Sequence, residues 1–397
     1  MAAIDVYHQL ATLLEHHVEA RVPASTRERL ALLLLGMIGA QSAAPARIAQ
    51  AIQRLGLSTA TVESIERRGR RIENDPAVDA TLCFQPFAQD RLRWDHPQEL
   101  HLLLDPTSQD DRVVMVTVAL WYRGRVLPLV WAVWPANQPL VGARFWTRIA
   151  ALLDAVAPLL PVGIPVIWLA DRAFGTPAFL DLLTARGWHY VVRLQHQTRY
   201  RPRRGAEQAI RTCVRAPGSR MKGTGQVFKK YGWRTASVVV LWGRRHTSPL
   251  AIVSDLRPTW ALLHLYRRRY PIEAGFRDYK SHGWHWEQGQ VTVLAHLQRL
   301  LVGMAFATWL VLYAGTHVAA RLLAIPPTGH RRTVSWMGKR SLFTLGLQWW
   351  LRQASTLTPE PLNWRFAQWD APNWHTQCYF HAAKAFVFAR PRPPVRP

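Results

Sequence analysis

Apolar and polar positions change their period once along this chain. Over residues 1 to about 95, apolar residues recur at helical spacing, first in "TRERLALLLLGMIGAQS" and then in "PARIAQAIQRLGLSTATVESIERRGRRI". The second stretch predicts helix, turn, helix. Gly56 supplies the break, Ser58 or Thr59 caps the next helix, and Arg67, Arg68, Arg70 and Arg71 follow. The pattern fits a DNA-binding helix-turn-helix, and equally a helical hairpin with a basic, solvated end.

From residue 96 the period shortens. "ELHLLLDPT" predicts a buried strand ending at Asp105, and "RVVMVTVALWY" and "RVLPLVWAVWP", parted by Arg123-Gly124, predict strands of an antiparallel meander. "RFWTRIAALLDAVAPLL" is a helix, "IPVIWLADRAFG" an apolar strand ending at Asp171, "TPAFLDLLTARG" a helix closed by Gly187, and "WHYVVRL" another strand. The order strand-strand-strand-helix-strand-helix-strand predicts an α/β fold, a mixed sheet with helices packed on it. Five segments follow: 1–95 helical; 96–198, the first part of the core; 199–248, a basic β-rich insertion containing the strand "SVVVLW"; 249–330, the second part of the core; and 331–397, a C-terminal region ending in the basic tail "ARPRPPVRP", which reads as disordered. Leu300 to Ala320 holds no charged residue and is long enough to span a bilayer, but no second span accompanies it, so a buried core helix is expected and no membrane partner.

Charge changes this picture. Fifty Lys and Arg stand against 25 Asp and Glu, a formal charge of +25, which attracts polyanions, nucleic acid first and an anionic membrane surface second. A generally basic protein from a GC-rich genome is the plainer reading. Residues 199 to 245 hold 13 Lys or Arg and one acid, Glu207. The cysteines Cys83, Cys213 and Cys378 form no CxxC pair, and the first residues lack a signal-peptide core, so a reducing, cytoplasmic setting is expected and no zinc site.

Acids are scarce: after Asp111 only ten remain. Asp105 and Asp171 end very apolar strands, at the sheet edge where ligand sites form. A bound divalent cation would offset the cost of such carboxylates, although each could equally be a turn residue capping the next element. In "YRRRYPIEAGFRDYK" the residues Tyr266, Arg269, Glu273 and Lys280 fall within roughly a 60° arc of one helix face. A carboxylate among phosphate-binding Arg, Lys and Tyr suits a phosphodiester at a two-metal site, and the same spacing suits a salt-bridged helix face. Pro271 either kinks that helix or starts a new one.

These blocks resemble the DDE transposases of bacterial insertion sequences, in the subgroup with the signature Tyr-(2)-Arg-(3)-Glu-(6)-Lys, met here by Tyr266, Arg269, Glu273 and Lys280. "LLLDPTS" is similar to the family's first-aspartate block and "LADRAFG" to its second, and the resemblance spans about residues 96 to 290. It implies an RNase H-like core preceded by an all-helical N-terminal domain. It also implies Asp105, Asp171 and Glu273 as catalytic ligands of two Mg²⁺ ions, with Mn²⁺ able to substitute. Tyr266, Arg269, Lys280 and Arg172 would contact DNA, and Trp233, with Trp242 as a rival, would stack on a flipped base. The implied partners are double-stranded DNA, both terminal inverted repeats and target, and a second copy of the chain. Asp110 or Asp111 could stand in for Asp105, and Asp278 for Glu273. Two rivals share these features: a catalytically idle DNA-binding derivative and a nuclease that only hydrolyses.

Overall fold

The computed structural model describes residues 2–94, 97–109, 111–289, 291, 293–324, 341–355, 360 and 365–367. Eleven α-helices and ten strands are found among them: α1 (Ala2–His17), α2 (Ala24–Ala40), α3 (Pro45–Arg54), α4 (Val62–Asn74), α5 (Gln85–Trp94), β1 (Leu100–Gln109), β2 (Val113–Tyr122), β3 (Arg125–Pro135), α6 (Gly142–Val156), β4 (Val166–Ala170), α7 (Pro177–Thr184), β5 (His189–Arg193), β6 (Arg199–Pro202), β7 (Gln208–Ala209), β8 (Arg220–Val227), β9 (Arg234–Leu241), β10 (Leu250–Ser254), α8 (Ala261–Arg267), α9 (Pro271–Arg277), α10 (Leu294–Ala324) and α11 (Leu342–Ser355).

The ten strands join in the order β3-β2-β1-β4-β5-β10-β9-β8-β6-β7. The first five give a mixed sheet, antiparallel at β2 and β3 and parallel at β4 and β5. β2 and β3 are an antiparallel hairpin turned by Arg123 and Gly124, both at positive φ (48° and 78°), as a two-residue turn matched to strand twist requires. β4 and β5 run parallel, with Ala170 opposite Val192, and α7 is their crossover. Every residue of β4 is buried, which accounts for its unbroken apolar run. The basic insertion does not stand apart as a module. Its strands β6, β7, β8 and β9 continue the sheet antiparallel beyond β10.

The chain divides into two compact units. The first takes Met1–His96, Leu103–Gly163 and Tyr270–Trp369; the second takes Pro97–Leu102 and Ile164–Arg269. In the first unit the N-terminal helices are as expected in kind. Thr61, rather than Ser58 or Thr59, caps α4, accepting from Ser64 N at 3.3 Å, because two further residues extend the turn after Gly56. Helices α2 and α3 meet at 92°, with Gly36 seated against Ile48 and Ile52.

The long helix α10 is the centre of the first unit. Leu294–Leu322 is the only described helix long and apolar enough to cross a membrane, and 89% of its most apolar stretch is buried inside the protein. Gly303 faces Leu33 and Met37, Trp309 Nε1 donates to Pro128 O at 2.9 Å, and Phe306 and Trp309 meet Phe84 and Phe87 in an aromatic cluster. The expected basic tail lies outside the described residues.

α10 and α11 cross at two glycines. A Cβ on Gly315 would lie 2.0 Å from Leu342 O, and one on Gly346 would lie 1.8 Å from Val311 O. No L side chain fits there without moving a backbone. Gly346→Val is therefore expected to destabilise the protein by about 1–3 kcal/mol or more. Urea unfolding followed by tryptophan fluorescence checks this, with a lower midpoint as the expected result.

Candidate active site

Asp105 is half-buried within β1 and does not end it. The strand continues through Gln109, since Pro106 forgoes only its own N–H and the backbone stays extended beyond it. Lys280 Nζ donates to the carbonyl of Ser108 on the same strand and pairs with Glu287 at 3.4 Å. The first unit thus brings the signature lysine to the strand that carries Asp105. Asp111 is exposed, and Asp110 lies outside the described residues.

Asp171 stands where it was expected, directly after β4, as the residue before a short 3₁₀ turn, Arg172–Phe174. Parallel pairing sets β5 beside it, so Arg193 at the end of β5 reaches Asp171 Oδ1 at 3.6 Å. Gly175 allows this closeness: a Cβ there would fall 2.3 Å from Arg193 O. The Tyr266 hydroxyl stands 3.5 Å from Asp171 Oδ1, at the outer edge of hydrogen-bonding distance. A cleft of about 470 Å³ opens here, lined by Asp171, Arg172, Ala173, Gln195 and His196, and the buried His196 Nε2 has no hydrogen-bond partner among the described residues. Arg193 and His196 were not singled out from the sequence. The usable signal was that two consecutive parallel strands ending in register put Asp171 and Arg193 side by side.

The signature does not lie along one helix face. α8 ends at Arg267, a 3₁₀-like turn follows, and α9 begins anew with Pro271 in its first turn. Proline starts a helix readily because the first N–H groups have no helical partner anyway. A π-type turn, Asp278–His282, then shifts the phase before Lys280. Consequently Tyr266 (1% exposed) and Arg269 (6%) are buried in the second unit, whereas Glu273 is exposed on the first turn of α9 in the first unit. Gly275 lets α9 pack on β3: a Cβ there would lie 2.5 Å from Val126 Cγ2.

Asp278, weighed as a substitute for Glu273, has a different role. It is buried and ion-paired with Arg125 at the start of β3. Burial pushes its pKa up from 3.8 to about 6, against the opposing pull of Arg125.

Around β6 and β8 the cations are exposed. Glu207 binds three of them: Arg199 at 2.8 Å, Lys229 at 3.0 Å and Arg201 at 3.7 Å. The hydrogen bonds from Arg199 and Lys229 lower its pKa. Trp233 is half-buried with the Arg201 guanidinium 4.5 Å from its ring centroid, and Arg220 and Lys222 lie over Trp260. Trp242 donates its indole N–H to His246 O at 2.9 Å.

No group of three or more His, Cys, Asp or Glu able to hold a metal ion is found among the described residues. The candidate ligands Asp105, Asp171 and Glu273 offer carboxylate oxygen only, a donor chemistry that fits Mg²⁺ or Mn²⁺ and not a soft metal.

The family model "Transposase DDE domain" matches residues 147–310, a stretch that contains Asp171, Tyr266, Arg269, Glu273 and Lys280 and begins after Asp105. Among solved structures, a cryo-EM structure of the piggyBac transposase synaptic complex with hairpin DNA is 10% identical, with a TM-score of 0.43 over 98% of this chain and 88% of that one. The crystal structure of human ENDOV is 13% identical, with a TM-score of 0.25 over 56% of this chain and 100% of that one. No curated protein sequence matches the chain.

The Asp278 assignment carries a pH dependence. Its folded pKa exceeds its ordinary value, so the folded state binds a proton between pH 4 and 6 that the unfolded chain releases. The stabilisation is full below about pH 4 and is lost as the pH rises through 6. Urea unfolding across this range is expected to show wild type losing stability relative to Asp278→Asn as the pH rises, and a pH-independent difference would contradict the assignment.

Proposed function

We propose that the protein is a DNA transposase that cleaves transposon ends and joins their 3′-hydroxyls to target DNA, a bacterial insertion-sequence enzyme of the Tyr-Arg-Glu-Lys subgroup. The observation that carries this reading is the DDE-domain match over residues 147–310, which includes Asp171 after β4 and Glu273 on α9. The formal charge of +25 and the exposed cations of the insertion support DNA as the partner.

In this reading Asp105, Asp171 and Glu273 hold two Mg²⁺ ions, with Mn²⁺ as a substitute. A divalent cation held there would supply Lewis-acid chemistry, easing ionisation of an attacking water or 3′-hydroxyl and offsetting charge on the leaving oxygen. Arg193 and Tyr266 orient the Asp171 carboxylate, and Lys280 fixes β1 through Ser108. Arg172 and Trp233, exposed and half-exposed, meet the DNA, as does Lys280. Tyr266 and Arg269 are buried, so in this reading they act by positioning the site and not by meeting phosphate at the surface. The paired ends of a transposon call for two copies of the chain, working in the cytoplasm on nucleoid DNA.

The test uses a plasmid carrying the gene's own flanking DNA, purified protein and Mg²⁺, with mapping of strand breaks. Breaks at both ends of an inverted repeat, followed by joined products and abolished in Asp105→Ala, Asp171→Ala and Glu273→Ala alike, are expected. Hydrolysis without joining would leave a nuclease, and binding without breaks in Mg²⁺ or Mn²⁺ an idle DNA-binding protein. DNA affinity is expected to fall steeply with salt, by about 10³–10⁵ between 50 and 200 mM for 6–10 phosphate contacts. A flat response in a fluorescence-anisotropy titration would count against DNA as the partner.

A further inference from the structure

Three ionisable side chains, none of them given a role above, are buried together in the second unit. The Glu99 side chain is fully buried, that of His101 is 4% exposed and that of Arg268 is 14% exposed. His101 Nε2 lies 2.8 Å from Glu99 Oε1, and Arg268 Nη1 lies 2.9 Å from His101 Nδ1, 3.2 Å from His101 Nε2 and 3.9 Å from Glu99 Oε1. The proton positions follow from the partners, since a carboxylate only accepts and a guanidinium only donates. A neutral imidazole protonated on Nε2 donates to Glu99 and offers its Nδ1 lone pair to Arg268. Burial is the main cause lowering the His101 pKa and Arg268 lowers it further, against the Glu99 hydrogen bond, so the ring stays neutral. Carboxylate, neutral ring and guanidinium then form an electroneutral chain.

Such a chain is poor evidence of stability, because apolar residues of the same volume serve a core as well or better. What it supplies is a fixed position. Glu99 immediately precedes β1 and His101 is its second residue. Arg268 is the residue after α8, and the turn around it is closed by Arg268 N to Leu265 O (3.0 Å) and Arg269 N to Tyr266 O (2.9 Å). Anchoring its guanidinium therefore anchors the turn that carries Tyr266, whose hydroxyl stands 3.5 Å from Asp171 Oδ1.

We infer that Glu99, His101 and Arg268 are positioning residues: a buried clamp that holds the last turn of α8 against the start of β1 and so sets where Tyr266 stands beside Asp171. The clamp is read from geometry alone, while its effect on cleavage rests on the transposase reading.

Glu99→Gln tests it, since the variant keeps the shape and an acceptor oxygen while removing the charge that offsets Arg268. In the full-length protein, hydrogen-exchange mass spectrometry of peptides spanning residues 261–277 is expected to show amides 266–270 exchanging at least about tenfold faster, with the rest of the fold unchanged. Single-turnover cleavage of the plasmid described above, at saturating protein, is expected to fall at least about tenfold, with DNA affinity within about twofold of wild type. Glu99→Asp, which keeps the charge, should recover part of both losses. Unchanged exchange at these amides would overturn the clamp. Faster exchange across the whole protein, or faster local exchange with unchanged cleavage, would overturn the positioning role. Should wild type leave the plasmid uncut, the exchange result still decides the clamp, and the transposase reading falls by itself.

Discussion

Charge imbalance constrains this protein more than any single contact. With 50 basic residues against 25 acids, each carboxylate sits in a field of cations that draws it into an ion pair. After Asp111 most of the described acids are visibly taken: Asp181 by Arg234, Glu207 by three cations, Asp255 by His189, Asp278 by Arg125, Glu287 by Lys280 and Glu360 by Arg321. Asp171 is held more loosely, with Arg193 at 3.6 Å and open cleft beside it. A carboxylate held this loosely in so basic a chain is a place where an added cation gains much.

The same field accounts for the insertion. Thirteen cations over residues 199–245 would repel one another if the segment were compact on its own. Extending the sheet from β10 spreads them along strands, and Glu207 ties Arg199, Arg201 and Lys229 together near β6. The cation–aromatic contacts at Trp233 and Trp260 stack further guanidinium and ammonium groups without neutralising them. The result is a surface that stays cationic and is still held in place, as a surface for a polyanion must be.

Much of the fold was legible because it follows from period. The apolar alternation of β2 and β3, the Arg123-Gly124 turn, the solid apolar run of β4 and the long buried helix α10 each have one stable arrangement, and the structure adopts it. The site was less legible because it depends on where periods break. Helical spacing put Tyr266, Arg269, Glu273 and Lys280 on one face, yet Pro271 restarts the helix and a π-type turn follows, so phase is lost twice within fifteen residues. Asp105 looked like a strand end because a proline follows it, but one missing N–H does not stop a strand whose other groups are paired. Arg193 and His196 depend on the parallel register of β4 and β5, which no local pattern encodes.

The helix break then explains why a buried polar chain is tolerated at Arg268. A continuous helix would hold Tyr266 and Arg269 by its own backbone ladder, each turn fixing the next. Once Pro271 interrupts that ladder, the turn between α8 and α9 has two short backbone hydrogen bonds to define it. Side-chain bonds must supply the remaining constraint, and directional ones do so better than apolar packing, which permits sliding. Arg268 offers a planar fork, and His101 and Glu99 present acceptors to it from the rigid start of β1. Lys280 shows the same logic after the second break, where its ammonium is fixed to a β1 carbonyl instead of to its own helix. Beside each loss of helical phase, within its own unit, a basic side chain of this segment is thus anchored: Arg268 on His101 in the second unit and Lys280 on the Ser108 carbonyl in the first.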